Sequence, residues 1–217
     1  GPEIGVASTK GFTCQLTVLL LLAIKAAQVR GTMDEEAVAD LLSHLRGLPA
    51  AISQALEMDE ALQQAARQLS EHDHALFLGR GLMFPMALEG ALKLKEISYI
   101  HAEAYASGEL KHGPIALIDK KMPVVIMAPR DALFDKTVSN MQEVMARGGK
   151  VMLITDRAGA AVADEGTWHL LVMPEVDPVL TPLLYAIPAQ LLAYHTAVAK
   201  GTDVDQPRNL AKSVTVE

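Results

Sequence analysis

Residues 75–100 read ALFLGRGLMFPMALEGALKLKEISYI, and the change of rhythm inside this stretch decides the fold. Ala75 to Leu78 is a short, unbroken apolar run, as expected of a strand covered on both faces. Gly79-Arg80-Gly81 punctuates it. From Met83 to Tyr99 the apolar residues return at helical spacing, with Phe84, Ala87, Leu88, Ala91 and Leu94 on one side. Strand, glycine turn and helix form the opening of a β-α-β unit.

The same rhythm repeats downstream. Val124–Ala128, Val151–Thr155 and His169–Met173 read as strands. Helical patterns cover Ala132–Arg147, ended by Gly148-Gly149, and Val179–Ala199, ended by Gly201. Four apolar strands alternating with helices imply an α/β fold with a parallel sheet and helices on both faces. Upstream the pattern is helical only. One helix is expected from Lys10 to Val29, capped by Ser8 or Thr9 and stopped at Gly31. It is apolar on most sides and is expected to be buried between other elements. Thr32 is expected to cap a second helix, with Asp34, Glu35 and Glu36 in the first turn favoured by the helix dipole. That helix continues to about Met58, with Pro49 marking a break or kink. A third spans Glu60–Ser70. The tail from Thr202 to Glu217 is polar and aperiodic and reads as a disordered end.

Composition narrows the function. Of 217 residues, 50% are hydrophobic and only 4% aromatic, so an aliphatic core of useful size is available. A formal charge of −7 opposes nucleic-acid binding, which needs a basic footprint. Cys14 is the single cysteine, so neither an intrachain disulfide nor a cysteine metal cluster can form, and a reducing, cytoplasmic setting fits. The apolar run Val18–Ile24 ends at Lys25, short of the ~20 residues that cross a bilayer, so no membrane is expected as a partner. The N-terminus lacks the pattern of a signal peptide.

No cofactor or metal is expected. The third glycine of a dinucleotide fingerprint is replaced by Phe84, so Gly79-Arg80-Gly81 reads as a tight turn or as an anion site at a helix N-terminus beside Arg80. His101 and Glu103 lack the spacing of a zinc helix, and His72 and His74 read as exposed loop residues. Ser8 and Ser107 have no acid–histidine pattern beside them.

The chemistry-bearing residues crowd into LEGALKLKEISYIHAEAYASGELKHGP, residues 88–114. Glu89, Lys93 and Glu96 stand at i, i+4 and i+7, which places them on one helical stripe about 60° wide. Such a stripe is either a solvated, ion-paired helix face or an acid, a base and a cation assembled for proton transfer. It lies opposite the apolar side and is expected to be accessible. His112, in a glycine-bracketed loop, is either an exposed loop histidine or a proton shuttle near neutral pH.

This window, the opening EIGVASTKGFTCQLTVLL and the tail DVDQPRNLAKSVTVE together resemble the glucosamine-6-phosphate synthases, the isomerising glutamine–fructose-6-phosphate aminotransferases. The resemblance covers essentially the whole chain and corresponds to the C-terminal part of the isomerase half. It implies a flavodoxin-like, three-layer sugar-isomerase (SIS) domain with a five-stranded parallel sheet. The fifth strand is then expected in Ile115–Ile118 or Gly159–Glu165. It further implies that residues 1–31 end a first SIS domain, residues 32–201 form a second, and residues 202–217 are a tail folded over the active site.

The resemblance also implies roles. Glu96 matches the base that moves a proton between C1 and C2 of the sugar, and Lys93 matches a lysine of the same site. His112 matches the histidine of ring opening, which reaches into a neighbouring subunit of a homodimer. Lys212 matches a tail lysine that contacts the open-chain sugar and can form a Schiff base. Val6 and Ala211 match positions whose backbone lines the sugar. These residue types suit that chemistry. The implied partners are fructose 6-phosphate or glucosamine 6-phosphate, a glutaminase domain and a first SIS domain. The family's phosphate-binding SQSGxT loop has no counterpart here: the loop after the Val124 strand reads Ala128-Pro129-Arg130-Asp131-Ala132. Cys14 does not match the glutaminase nucleophile. The chain is therefore expected to be a fragment, inactive alone in the full reaction. The alternatives are a stand-alone phosphosugar isomerase or deglycase and a non-catalytic sugar-phosphate-binding module.

Overall fold

A computed structural model describes residues 2–163 and 165–211. Three helices come first: α1 (Lys10–Val29), α2 (Glu35–Leu56) and α3 (Asp59–Leu69). Then follow β1 (His74–Gly79), α4 (Met83–Ser98), β2 (His101–Ala106), β3 (Pro123–Met127), α5 (Phe134–Met145), β4 (Lys150–Asp156), α6 (Arg157–Ala163), β5 (His169–Met173) and α7 (Thr181–Lys200). The five strands form one parallel sheet in the order β2-β1-β3-β4-β5. That is the doubly wound order in which the chain reverses direction between β1 and β3.

Strand periodicity builds the three layers. Ala75, Phe77, Val125, Met127, Met152 and Ile154 face one side, where α3, α4 and α7 cover them. Leu76, Leu78, Val124, Ile126, Val151 and Leu153 face the other and pack on α5. Both faces are thus buried, which is why these strands are apolar without alternation.

The fifth strand is not where the sequence placed it. It is β2, His101–Ala106, which pairs with β1 from His74↔His101 to Gly79↔Ala106. Residues 115–117 lie in a 3-10 turn, Pro114–Leu117, and residues 159–163 belong to α6. β2 is an edge strand with one free side, so its sequence HAEAYA carries polar residues and lacks the apolar signature of its neighbours.

Three further expectations change. The cap of α2 is Asp34, whose carboxylate accepts from the Ala37 N–H at 2.8 Å, while the Thr32 hydroxyl donates to the Ala27 carbonyl. Pro49 sits inside α2 without ending it. Most important, α1 is not buried. Phe12, Leu16 and Leu20 are half-buried against the core and only Ile24 is fully buried, while Val18, Leu19 and Leu22 are 63%, 58% and 63% exposed. By length and composition α1 is also long and apolar enough to cross a bilayer, which the run Val18–Ile24 alone did not suggest.

The β1–α4 turn requires both of its glycines. A Cβ on Gly79 would stand 2.1 Å from the Met83 carbonyl oxygen, and Gly81 holds φ +55°. Both features agree with the tight-turn reading. The obstacle at Gly79 is backbone, which cannot swing aside. Gly79→Ala is therefore expected to cost about 3 kcal/mol or more in urea unfolding; a loss below about 1 kcal/mol would mean that the turn relaxes freely.

Candidate active site

The sheet and α7 hold α4 from two sides, and this determines what its charged stripe does. Lys93 is only 4% exposed, between the buried residues Ala91 and Leu94 of the helix. Its Nζ donates to Glu96 Oε2 at 2.6 Å and lies 3.6 Å from Glu89 Oε1. The stripe expected to be accessible is therefore largely buried, and Leu88 and Leu92 take the solvent side instead, at 47% and 41% exposure. A buried ammonium is retained only where negative charge and hydrogen bonding replace its water. The helix supplies both, one turn away in each direction.

Lys93 reaches the wall of a cavity of about 280 Å³. Ile97 of α4 and Gln190 and Tyr194 of α7 line one side of it. The two ends of the chain close the other: Glu3, Gly5 and Lys10 from the N-terminal segment, Val204 and Asp205 from the residues after α7. The Val6 N–H donates to the Asp205 carbonyl at 2.8 Å, which ties these ends together. Thr202 Oγ1 donates to the Ile97 carbonyl at 2.6 Å and fastens the second end to α4.

Glu3 organises the N-terminal segment. Its Oε1 accepts from the Thr9 N–H at 2.7 Å and the Gly11 N–H at 3.3 Å, and its Oε2 accepts from the Ser8 hydroxyl. The backbone bond from Thr9, ahead of the other contacts, holds the Glu3 carboxyl below its ordinary range. This carboxylate, rather than the Ser8 or Thr9 side chain, caps the start of α1. No sequence rule for caps looks that far back. Gln190 and Tyr194 were missed as well, although their i, i+4 spacing in an otherwise apolar helix is a usable signal.

The other expected site residues fall at different distances from this cavity. The Val6 backbone is at its edge through Asp205. His112 ends the 3-10 turn Ser107–His112 after β2; it is exposed, forms no hydrogen bond or ion pair among the described residues, and does not line the cavity. Ala211 is exposed, and Lys212 lies outside the described residues. His72 is half-buried, with Nε2 3.3 Å from Lys150 Nζ. Among the described residues no group of three or more His, Cys, Asp or Glu side chains is placed to hold a metal ion.

Similarity to known proteins follows the same geometry. The SIS domain family profile matches residues 68–200. Glutamine–fructose-6-phosphate aminotransferase (isomerizing) of Brucella abortus is 61% identical over 217 residues, all of this chain and 36% of that protein. The enzyme of the same description from Zymomonas mobilis is 58% identical over the same span, again 36% of its length. The chain thus spans about a third of the curated relatives it matches. Among solved structures, the C-terminal domain of glucosamine-fructose-6-phosphate aminotransferase from Francisella tularensis superposes with a TM-score of 0.93 at 48% identity, over 95% of this chain and 58% of that one. Glucosamine-6-phosphate deaminase from Thermotoga maritima gives 0.67 at 26% identity, over 99% of this chain and 59% of that one. With a profile match across β1 to α7 and a five-stranded parallel sheet beneath it, the chain belongs to the SIS domain family.

Proposed function

We propose that this chain supplies one wall of the isomerase site of an enzyme that makes glucosamine 6-phosphate from fructose 6-phosphate and glutamine. The observation that carries the reading is the Lys93–Glu96 pair, 2.6 Å apart, whose buried lysine lines a cavity closed by both ends of the chain. Identity of 61% along the whole chain to an enzyme named for that reaction supports it.

In this reading the pair does the central step. Moving a hydrogen between C1 and C2 of an open-chain sugar needs a carboxylate that first takes and then returns a proton. Glu96 is that base. Lys93 holds its carboxylate in one orientation and offers positive charge to the enediol oxygen that develops. His112 opens the sugar ring. Its place outside the Lys93 cavity and its exposure fit a histidine that serves the site of a second subunit in a homodimer. Lys212, beyond the described residues, is the nucleophile that meets the sugar carbonyl. The backbones of Val6 and Ala211 border the sugar. Residues 1–31 end a first SIS domain, 32–201 form the second, and 202–217 are the tail over the site.

The exposed face of α1 belongs to the same reading. The relatives are nearly three times as long, at 36% coverage. Residues that precede this segment in a longer chain would cover the apolar face and bring the phosphate-binding loop. The glutaminase domain would bring ammonia. All of this is cytoplasmic chemistry. The second reading, a deaminase that releases ammonia from an amino-sugar phosphate, rests on the 26% identity to the Thermotoga maritima enzyme. The two differ in their need for glutamine.

Three outcomes follow. In the enzyme completed by the upstream residues, product formation requires glutamine, and Glu96→Gln slows solvent-proton exchange at the sugar by about 10²- to 10⁴-fold with unchanged thermal unfolding. Unimpaired exchange in the variant would remove Glu96 from the mechanism. Glu89 behaves differently. Burial pushes its carboxyl up, Lys93 opposes this, and Glu96 adds to it. A carboxyl raised in the folded state favours folding at low pH, and that contribution is lost as pH rises through its folded value. Glu89→Gln is therefore expected to raise the melting temperature near pH ~7, with the gain shrinking as the pH falls toward ~4; a gain that is flat with pH would refute the burial argument. Finally, the 217-residue chain is expected to self-associate through α1. Sedimentation of a Leu19→Glu, Leu22→Glu variant as monomer would bear this out, and a monomeric parent would overturn it.

A further inference from the structure

Tyr99 ends α4 in the left-handed conformation, at φ 62° and ψ 12°. Glycine or asparagine usually takes that position, because a larger residue crowds its own carbonyl there. A tyrosine held in a strained cap indicates a demand from elsewhere in the fold. The demand comes from a residue far along the chain. The Tyr99 hydroxyl accepts from the Arg208 N–H at 2.9 Å, and the Arg208 guanidinium lies over its ring, 4.1 Å from the centroid.

Arg208 closes a strap that begins at Thr202. The Thr202 hydroxyl is bonded to the carbonyl of Ile97, the penultimate residue of α4. Asp203 then accepts from the N–H groups of Asp205 and Gln206, both at 2.9 Å, which folds the strap into a tight turn. Asp205 receives the Val6 N–H, and Pro207 is buried. Between the two fastenings on α4, Val204 and Asp205 form a wall of the Lys93 cavity. Immediately beyond the second fastening the chain turns again, with Asn209 at φ 63°.

We propose that Tyr99 and Arg208 form a latch that fastens the 202–208 strap to the end of α4. Tyr99 is then a positioning residue: it sets the width of the Lys93 cavity and the point from which the chain departs toward Ala211. The latch is a separate claim about structure, but its catalytic consequence rests on the cavity being the sugar-phosphate site. The strained cap supports it, because a glycine at position 99 would suit the helix and leave Arg208 without a partner. One hydrogen bond and one exposed cation–π contact make a weak fastening, suited to opening for a ligand while Thr202 stays attached.

The test separates cap from latch. In the 217-residue chain, Tyr99→Gly relieves the backbone strain, so the melting temperature is expected to fall by less than ~3 °C. Amide exchange at Val6 and Arg208 is nevertheless expected to quicken by about 10-fold. Arg208→Leu should reproduce the faster exchange, and the double variant should add nothing. Tyr99→Phe keeps the ring beneath the guanidinium and should recover most of the protection at Val6, while the Arg208 N–H, deprived of its acceptor, stays fast. In the completed enzyme, Tyr99→Gly should raise KM for fructose 6-phosphate about 5- to 20-fold with kcat changed less than about 3-fold. Unchanged exchange at Val6 in Tyr99→Gly would overturn the latch, as would a fall in melting temperature and activity together that Tyr99→Phe does not restore. If Glu96→Gln leaves sugar isomerisation intact, the sugar-site reading fails, and the amide exchange still decides the latch.

Discussion

The burial of one ammonium group organises this molecule. Lys93 is almost wholly removed from water, and the carboxylates of Glu89 and Glu96 stand in for the solvent it has lost. Two acids share one cation, so the arrangement is not a closed ion pair. Glu96 holds the short bond, while Glu89 Oε1 is buried without a hydrogen-bond partner. The helix that carries all three must therefore present this face to protein rather than to water. Everything that covers it, from α7 to the two chain ends, becomes part of the wall of the cavity that Lys93 lines.

That covering is made by segments with no regular structure of their own. Residues 2–9 owe their path to the Glu3 carboxylate, which gathers backbone and hydroxyl donors at the start of α1. Residues 202–208 owe theirs to hydrogen bonds on α4 and on Val6. Loops held in this way are ordered by a few specific contacts rather than by a large buried area, which suits segments beside a binding site. The rigid three-layer sandwich positions α4, and the ends of the chain complete what α4 offers.

How much of this was readable beforehand depends on the kind of force involved. β1, β3 and β4, the interior strands, and the apolar edge strand β5 were legible because burial of their faces writes an apolar run directly into the sequence. β2 was not, since this half-buried edge strand reads HAEAYA and carries no such run. α1 was legible as a helix and misread as a buried one. Its apolar residues give the helix but not what packs on it, and among the described residues Val18, Leu19 and Leu22 are left exposed. The Glu89–Lys93–Glu96 stripe was legible as a cluster, because three residues on one helix are brought together by local geometry alone. Its burial was not, since an exposed ion-paired face has the same spacing.

Sequence alone determined the alternation of strand and helix, the layers it implies, and the grouping of one lysine with two acids on α4. Each follows from periodicities that operate within a few residues. Only the tertiary structure decided that the grouping faces inward, that Glu3 caps α1, and that Arg208 lies on Tyr99 across 109 positions of chain. Those contacts join residues with no local relation. They arise from which surfaces pack once the sheet is covered, and packing is settled by the whole chain rather than by any one stretch of it.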